Sequence, residues 1–329
     1  MQKQPSIEVV GAGGCAINLI KNLIQKIPAS ELIKYKVIDS SRSNLDDVTD
    51  IEVHIVSELG SGKDRAKNLP ILQTYLDKHS ELTNPKADIS IIISSFSGGT
   101  GSIASNLLVQ RIMKHAEDKA VIVVGVLDAS SEKDCLNSIN TLKSFNRITK
   151  DLSISLPMML FSNTIKYKGQ PKPGKFKVNE TVVKRLVSLI TLLTDTTVKE
   201  IDWMDKMNYL RPQDSGCEIG PCSLGITDSS LDDAVTLPGE VDILIKEENI
   251  IHSILVVGDG STPDILTNVN YVGVGTLKFT STMVEGIPKE FTQDLADTAE
   301  RYQRGTRIKT SLESDLQKFG SDEKNGLII

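Results

Sequence analysis

Ser97-Gly98-Gly99-Thr100-Gly101-Ser102 is the stretch on which the reading of the chain turns. It follows Ile89-Ser90-Ile91-Ile92-Ile93, an apolar β-branched run of the kind that forms a buried central strand. It precedes residues 103–115, where Ile103, Leu107, Leu108 and Ile112 recur at helical spacing. The stretch is therefore a strand-to-helix turn with three glycines. Glycines without Cβ atoms let backbone N–H groups converge, and the helix beyond presents the positive end of its dipole. Such a turn can cradle a phosphate. A plain tight turn would use similar glycines, so the surrounding chain has to separate the two readings.

The totals narrow the field. A chain of 329 residues has room for two domains sharing a large core. With 39% hydrophobic but only 4% aromatic residues, that core is aliphatic. A net charge of −6 and a pI near 5.4 argue against coating nucleic acid by bulk electrostatics, so no direct nucleic-acid contact is expected. No apolar run approaches the ~18 residues of a membrane span, and no secretory signal precedes the first strand. A cytoplasmic protein without membrane contact is the expectation. The cysteines (15, 135, 217 and 222) and histidines (54, 79, 115 and 252) are scattered. Cys217 and Cys222 lack a second pair or a nearby histidine, so no metal site is expected from the protein's own ligands.

In order, strands are predicted at 7–10, 35–38, 52–56, 89–93, 120–127 and 154–161, each but the second and the last followed by a helical pattern or a polar loop and a helix. This alternation specifies an α/β fold: a Rossmann-like parallel sheet covered on both faces. Ligands of such sheets lie outside the carboxyl ends of the strands. Gly11–Asn18, Asp39, Gly60–Lys63, Gly98–Ser102, Glu132 and Asn163 all fall there. Residues 166–177 form a basic Pro/Gly-bearing loop and a boundary. The helix that Asn179 starts is apolar on two flanks and reads as a central helix buried between domains. Residues 206–240 look mostly irregular, strands are expected at 241–246, 252–258 and 270–280, and a long charged helix at 288–319. The division is then a nucleotide-binding domain (1–177), a central helix (178–200), a smaller α+β activation domain (201–287), and a C-terminal helix and tail (288–329).

Two motifs invite other readings. Gly11-x-Gly13-x-x-Ala16 after a strand, with Asp39 ending the next, fits a dinucleotide-binding fingerprint and an NAD-dependent oxidoreductase. That reading leaves the second glycine cradle at 98–101 unexplained, and no His or Lys stands out as a hydride-transfer partner. Gly60-Ser61-Gly62-Lys63 looks like the end of a P-loop, but Asp64 stands where a Ser or Thr is required.

Together, Gly11-Ala12-Gly13-Gly14 with Asn18, Gly60-Ser61-Gly62-Lys63, Ser97–Ser102, Asn163, Asn179 and Asp202-x-x-Asp205 resemble the tubulin/FtsZ superfamily in kind and order. The likeness covers about residues 7–210 by motif. Gly60–Arg65 and Val124-Gly125-Val126-Leu127 are most similar to TubZ, the plasmid- and phage-encoded bacterial tubulins. The resemblance implies a GTPase that binds GTP and GDP with Mg²⁺ and assembles with itself head to tail into filaments. Those filaments would act in the cytoplasm of a bacterial host, through a DNA-binding adaptor, in plasmid or phage DNA positioning.

It also implies roles. Gly11, Gly13, Gly14, Cys15 and Asn18 would line the first phosphate loop, and Gly98, Gly99, Thr100, Gly101 and Ser102 would hold the α- and β-phosphates. Gly60, Gly62 and Lys63 would sense the γ-phosphate, Glu132 would reach the ribose, and Asp39 joins the nucleotide set. Asn163 and Asn179 would read guanine's edge, since an amide offers donor and acceptor. Asp202 and Asp205 would be the catalytic pair, supplied by the subunit above to complete the site below. A static nucleotide-binding scaffold would have no need of them. Cell-division relatives carry an acid where Ser41 stands here and a Gly where Ser97 stands, and the 128–134 loop lacks their Pro-Phe.

Overall fold

The alternation read from the sequence becomes one sheet in the computed structural model of the chain. The structure describes residues 4–43, 45, 49–57, 59–116, 118–163, 174–194, 203–211, 219–227, 239–240, 254–257, 273–278 and 296–305. Strands β1 (Ile7–Ala12), β2 (Ile33–Asp39), β3 (Glu52–Ile55), β4 (Ile89–Ser95), β5 (Ala120–Leu127) and β6 (Ser155–Ser162) interleave with α1 (Gly14–Ile24), α2 (Arg65–Lys78), α3 (Gly101–His115) and α4 (Glu132–Leu152). Helices α5 (Lys175–Thr194) and α6 (Trp203–Leu210) precede β7 (Gly220–Thr227), β8 (Ile254–Val257) and β9 (Gly273–Lys278). A last described helix, α7, covers 296–305.

The strand order is β3-β2-β1-β4-β5-β6-β7-β9-β8. Every pair from β3 to β7 is parallel, whereas β9 runs antiparallel to both β7 and β8. Parallel strands buried on both faces explain the unbroken apolar runs. On β4, Ile89, Ile91 and Ile93 pack with α1, α5 and α6, while Ile92 packs with α2, α3 and α4. The two faces are thus separate cores divided by the sheet.

Within 206–240, the described residues include most of α6 and all of β7, and the rest of that span lies largely outside the described residues. Strand β7 pairs with β6 from Ser155↔Gly220 to Met158↔Ser223, so the late strands continue the first sheet. The strands expected at 252–258 and 270–280 are β8 and β9, while the one expected at 241–246 lies outside the described residues. Among the described residues, no helix is long and apolar enough to cross a membrane.

Candidate functional site

A cavity of about 430 Å³ opens at the carboxyl ends of β1, β2, β4, β5 and β6. Twelve of the residues singled out from the sequence line it: Gly13, Gly14, Cys15, Asn18, Asp39, Lys63, Gly98, Gly99, Thr100, Gly101, Asn163 and Asn179. The helix termini explain its chemistry. Gly13 caps α1 and Thr100 caps α3, and neither helix start has a side-chain hydrogen bond closing it. Two helix N-termini with open N–H groups face one space, the electrostatic arrangement that anions seek.

Close packing maintains the turn. A Cβ on Gly101 would lie 2.6 Å from the Ala12 carbonyl oxygen and 3.0 Å from that of Ser95, so only glycine lets α3 start against the ends of β1 and β4. A Cβ on Gly99 would collide with Ser61, which places the 60–63 loop directly on the glycine turn. Ser97 keeps a negative φ, so its side chain costs nothing where a glycine was possible.

The 60–63 loop is held from α4. Lys133 Nζ donates to the Gly62 carbonyl at 2.9 Å, and Asn137 Nδ2 donates to the carbonyls of Lys63 (3.2 Å) and Ser97 (3.0 Å). Lys63 has φ +55°, and its ammonium pairs with the buried Asp134 carboxylate at 2.5 Å. Asp64 caps α2 by accepting from the Lys67 N–H at 3.1 Å, which gives a structural role to the acid that stands where a P-loop needs a hydroxyl. Arg65 is part-buried and donates to the Ser102 carbonyl (2.6 Å) and Thr141 Oγ1 (2.7 Å). Burial without a carboxylate pushes its guanidinium down to about 10.

Asp39 is buried at the end of β2, where its Oδ1 accepts from the Ser40 N–H at 2.7 Å. Desolvation raises its carboxyl above the usual value; the Ser40 and Thr100 hydrogen bonds oppose that in part. Ser40 and Thr100 share a hydroxyl hydrogen bond of 2.6 Å. Burial pushes the Cys15 thiol up to about 11, so it stays protonated at neutral pH. Asn163 Oδ1 is buried without a hydrogen-bond partner, an unmet acceptor at the cavity wall.

Seven singled-out residues stand elsewhere or are not described at the side chain. Gly11 sits within β1, and Ser102 is fully buried in the first turn of α3 with its hydroxyl on the Gly99 carbonyl. Glu132 does not line the cavity: it starts α4, and its carboxylate accepts from Gln303 of α7 at 2.7 Å. Asp202 lies outside the described residues, and Asp205 is placed on α6 by its backbone. Gly60 and Gly62 shape the loop whose Ser61 and Lys63 reach the wall.

Ser40, Ser61, Asp128 and Lys175 also line the cavity, although the sequence assigned them no role there. Asp128 accepts from the Ser130 N–H at 3.0 Å and faces Lys175 Nζ at 3.6 Å. Ser40 and Asp128 follow strand ends, Lys175 starts the central helix and Ser61 lies inside the Gly60–Lys63 motif, and those positions were their sequence signal. Phe176 is 88% exposed at the start of α5, in a second cavity that shares Asn18 and Asn179 with the first. The lining thus holds two carboxylates (Asp39, Asp128) and two ammoniums (Lys63, Lys175), the latter already facing Asp134 and Asp128. A polyanion in this space would be met by backbone N–H groups and helix dipoles rather than by spare side-chain cations. The histidines are not all dispersed in space: His54 and His79 meet at the β3 edge with ring centroids 5.6 Å apart.

No family model matches the chain. It is 24% identical over 260 residues to a phage tubulin-like protein of Pseudomonas phage PhiPA3, covering 73% of this chain and 78% of the relative. Its fold superposes on a GDP-bound structure of the phage tubulin PhuZ with a TM-score of 0.69 at 18% identity, over 99% of this chain and 96% of the other. A protofilament of TubZ from bacteriophage PhiKZ gives 0.68 at 16% identity, covering 92% of each. The glycine turns, the strand order and these likenesses agree: the chain has the fold of the phage tubulin PhuZ and of TubZ, and its sequence is similar to that of a phage tubulin-like protein.

Proposed function

We propose that the chain is a GTPase that assembles head to tail into filaments and hydrolyses GTP where one subunit meets the next. One observation carries the reading. Lys175 and Asn179, at the start of α5, line the cavity, whereas α6 is tied to the other end of α5 by Lys206, whose Nζ donates to the Leu193 carbonyl at 3.1 Å. Along a helix, Asn179 and Leu193 are separated by about 20 Å. Asp205, beside Lys206, is therefore remote from the cavity of its own chain, and an acid so placed serves a neighbour's cavity.

In this reading the triphosphate lies over the N-termini of α1 and α3, with the Gly98–Gly101 turn beneath it. The last phosphate reaches the 60–63 loop, where it competes with Asp134 for Lys63. Asn163 and Asn179 meet guanine, whose ring N–H and amino groups suit the unmet Asn163 Oδ1, and Phe176 offers the base an aromatic face. A magnesium ion, when bound, neutralises charge on the phosphate oxygens; Asp39, Ser40 and Thr100 supply the hard oxygen donors it prefers. The neighbour's Asp205, with Asp202, orients the water that attacks the γ-phosphorus as the bond to the bridging oxygen breaks and GDP leaves. Positioning and charge neutralisation are most of what phosphoryl transfer requires. The domain division given above, a role in DNA positioning through an adaptor and action in the cytoplasm of a bacterial host belong to the same proposal.

Pelleting and phosphate release, measured with GTP at rising protein concentration for wild type and Asp205→Ala, test it. The expected result is turnover that rises steeply above a critical concentration and is lost in the variant while its filaments persist. Equal pelleting of both without phosphate release would indicate a static scaffold. Binding of NADH and not GTP would overturn the reading.

A further inference from the structure

At the outer edge of the sheet, remote in function from the glycine turns, three elements bring together side chains that the nucleotide reading does not use. His54 is buried on β3, the edge strand. His79 follows directly on the end of α2, and Glu81 lies in the 3₁₀ turn Ser80–Leu82 that comes next. One donor atom from each of the three lies within 4.8 Å of the others. We propose that this edge cluster binds a divalent transition-metal ion of the zinc class, with His54, His79 and Glu81 as ligands and water completing the shell.

The ligands are held in place before any metal arrives. The His79 ring stacks on Tyr75 with centroids 4.1 Å apart and planes at 22°. The Tyr75 hydroxyl stands 3.3 Å from His54 Nδ1, and Glu52 Oε1 stands 2.8 Å from His54 Nε2. Whichever nitrogen of His54 takes the metal, the other keeps a partner that fixes the ring, and with Glu52 that partner forms the carboxylate–histidine–metal relay common to such sites. His79 Nδ1 and Glu81 Oε1 are already 2.9 Å apart, a pair that a cation can bridge.

Charge and donor type agree. The nearby cation is Lys36, whose Nζ lies 2.9 Å from Glu8, 3.8 Å from Glu52 and 3.2 Å from the Glu81 carbonyl. Glu8 offsets Lys36, which leaves Glu52 and Glu81 to meet a divalent charge. Two imidazoles and a carboxylate select zinc, cobalt, nickel or copper over magnesium and calcium, which prefer all-oxygen shells. Exposure of the His79 and Glu81 side chains, at 37% and 49%, gives an ion a way in from solvent. His54 and His79 bracket the 60–63 loop and all of α2. A bound ion would therefore clip that whole segment to the sheet edge.

The test uses the full chain, stripped of metal with a chelator and free of nucleotide, titrated with Co²⁺ alone and then with Zn²⁺ in competition. The expected result is one ion per chain with the visible absorption of tetrahedral or five-coordinate cobalt, displaced by Zn²⁺, and a melting temperature raised by Zn²⁺. Binding should be lost in His79→Ala and in Glu81→Ala, and weakened about tenfold in Glu52→Gln. Both truncations are at exposed side chains, and circular dichroism checks that each variant folds. Three outcomes would overturn the site: affinity unchanged in both folded truncations, a near-ultraviolet thiolate band that assigns the ion to cysteine, or no Zn²⁺ binding by wild type.

Discussion

Asn163 holds the most telling single atom in the cavity. Its unmet Oδ1 acquires a partner only when something enters, so the residue does more for ligand than for fold. Asn163→Ala is expected to leave the melting temperature of the nucleotide-free protein within a degree or two while weakening GTP binding about tenfold to a hundredfold. Equilibrium binding of a fluorescent GTP analogue reads this directly. Asp39 makes the converse case. Burial raises its carboxyl, so its contribution to stability is greatest below the ordinary value of 3.8 and is lost as the pH rises through the higher folded value. Asp39→Asn removes that dependence. The nucleotide-free variant should melt above wild type at pH 7, and the gap should close below about pH 4. A gap independent of pH would assign the effect to packing. Neither property is written in the sequence. Asparagine is common in turns and aspartate common at strand ends, and only the fold shows which one lacks a partner and which one is buried.

Among the elements, the strand-to-helix turns were legible because the pattern is local: apolar run, glycines, helical spacing. Gly101→Ala would drive a Cβ into the carbonyls of Ala12 and Ser95, and forcing extra volume into such a contact costs about 1–3 kcal/mol. The variant should therefore melt lower and bind GTP poorly even after refolding, whereas Gly305→Ala, with open space around it, is the matched control. Other elements were hidden for identifiable reasons. Strand β7 carries Gly220, Pro221 and Gly225, residues that argue against an internal strand, yet it lies between β6 and β9. Long-range pairing overrode local preference. The grip of α4 on the 60–63 loop, through Lys133, Asp134 and Asn137, joins positions some seventy residues apart. No spacing rule exposes such a contact, and the same holds for Gln303 drawing Glu132 away from the cavity.

For the whole molecule, the separation of Asp205 from its own cavity leads to a mixing experiment. Asp205→Ala keeps an intact cavity, and Asn163→Ala keeps an intact acid. Neither alone should turn over GTP at the wild-type rate, but an equimolar mixture should recover activity, because some junctions pair the sound half of each. Phosphate release of the mixture no higher than the mean of its parts would place the chemistry within one chain. The sheet adds a further consequence. Its strands from β3 to β7 all point the same way, and the helix starts that face the cavity gather at their leading edge. The subunit is an arrow, and repetition cannot cancel an arrow. In the proposed head-to-tail filament, nucleotide would be exposed at one tip and the acid of α6 at the other. Its two tips are chemically different objects, and each should grow and shorten at its own rate.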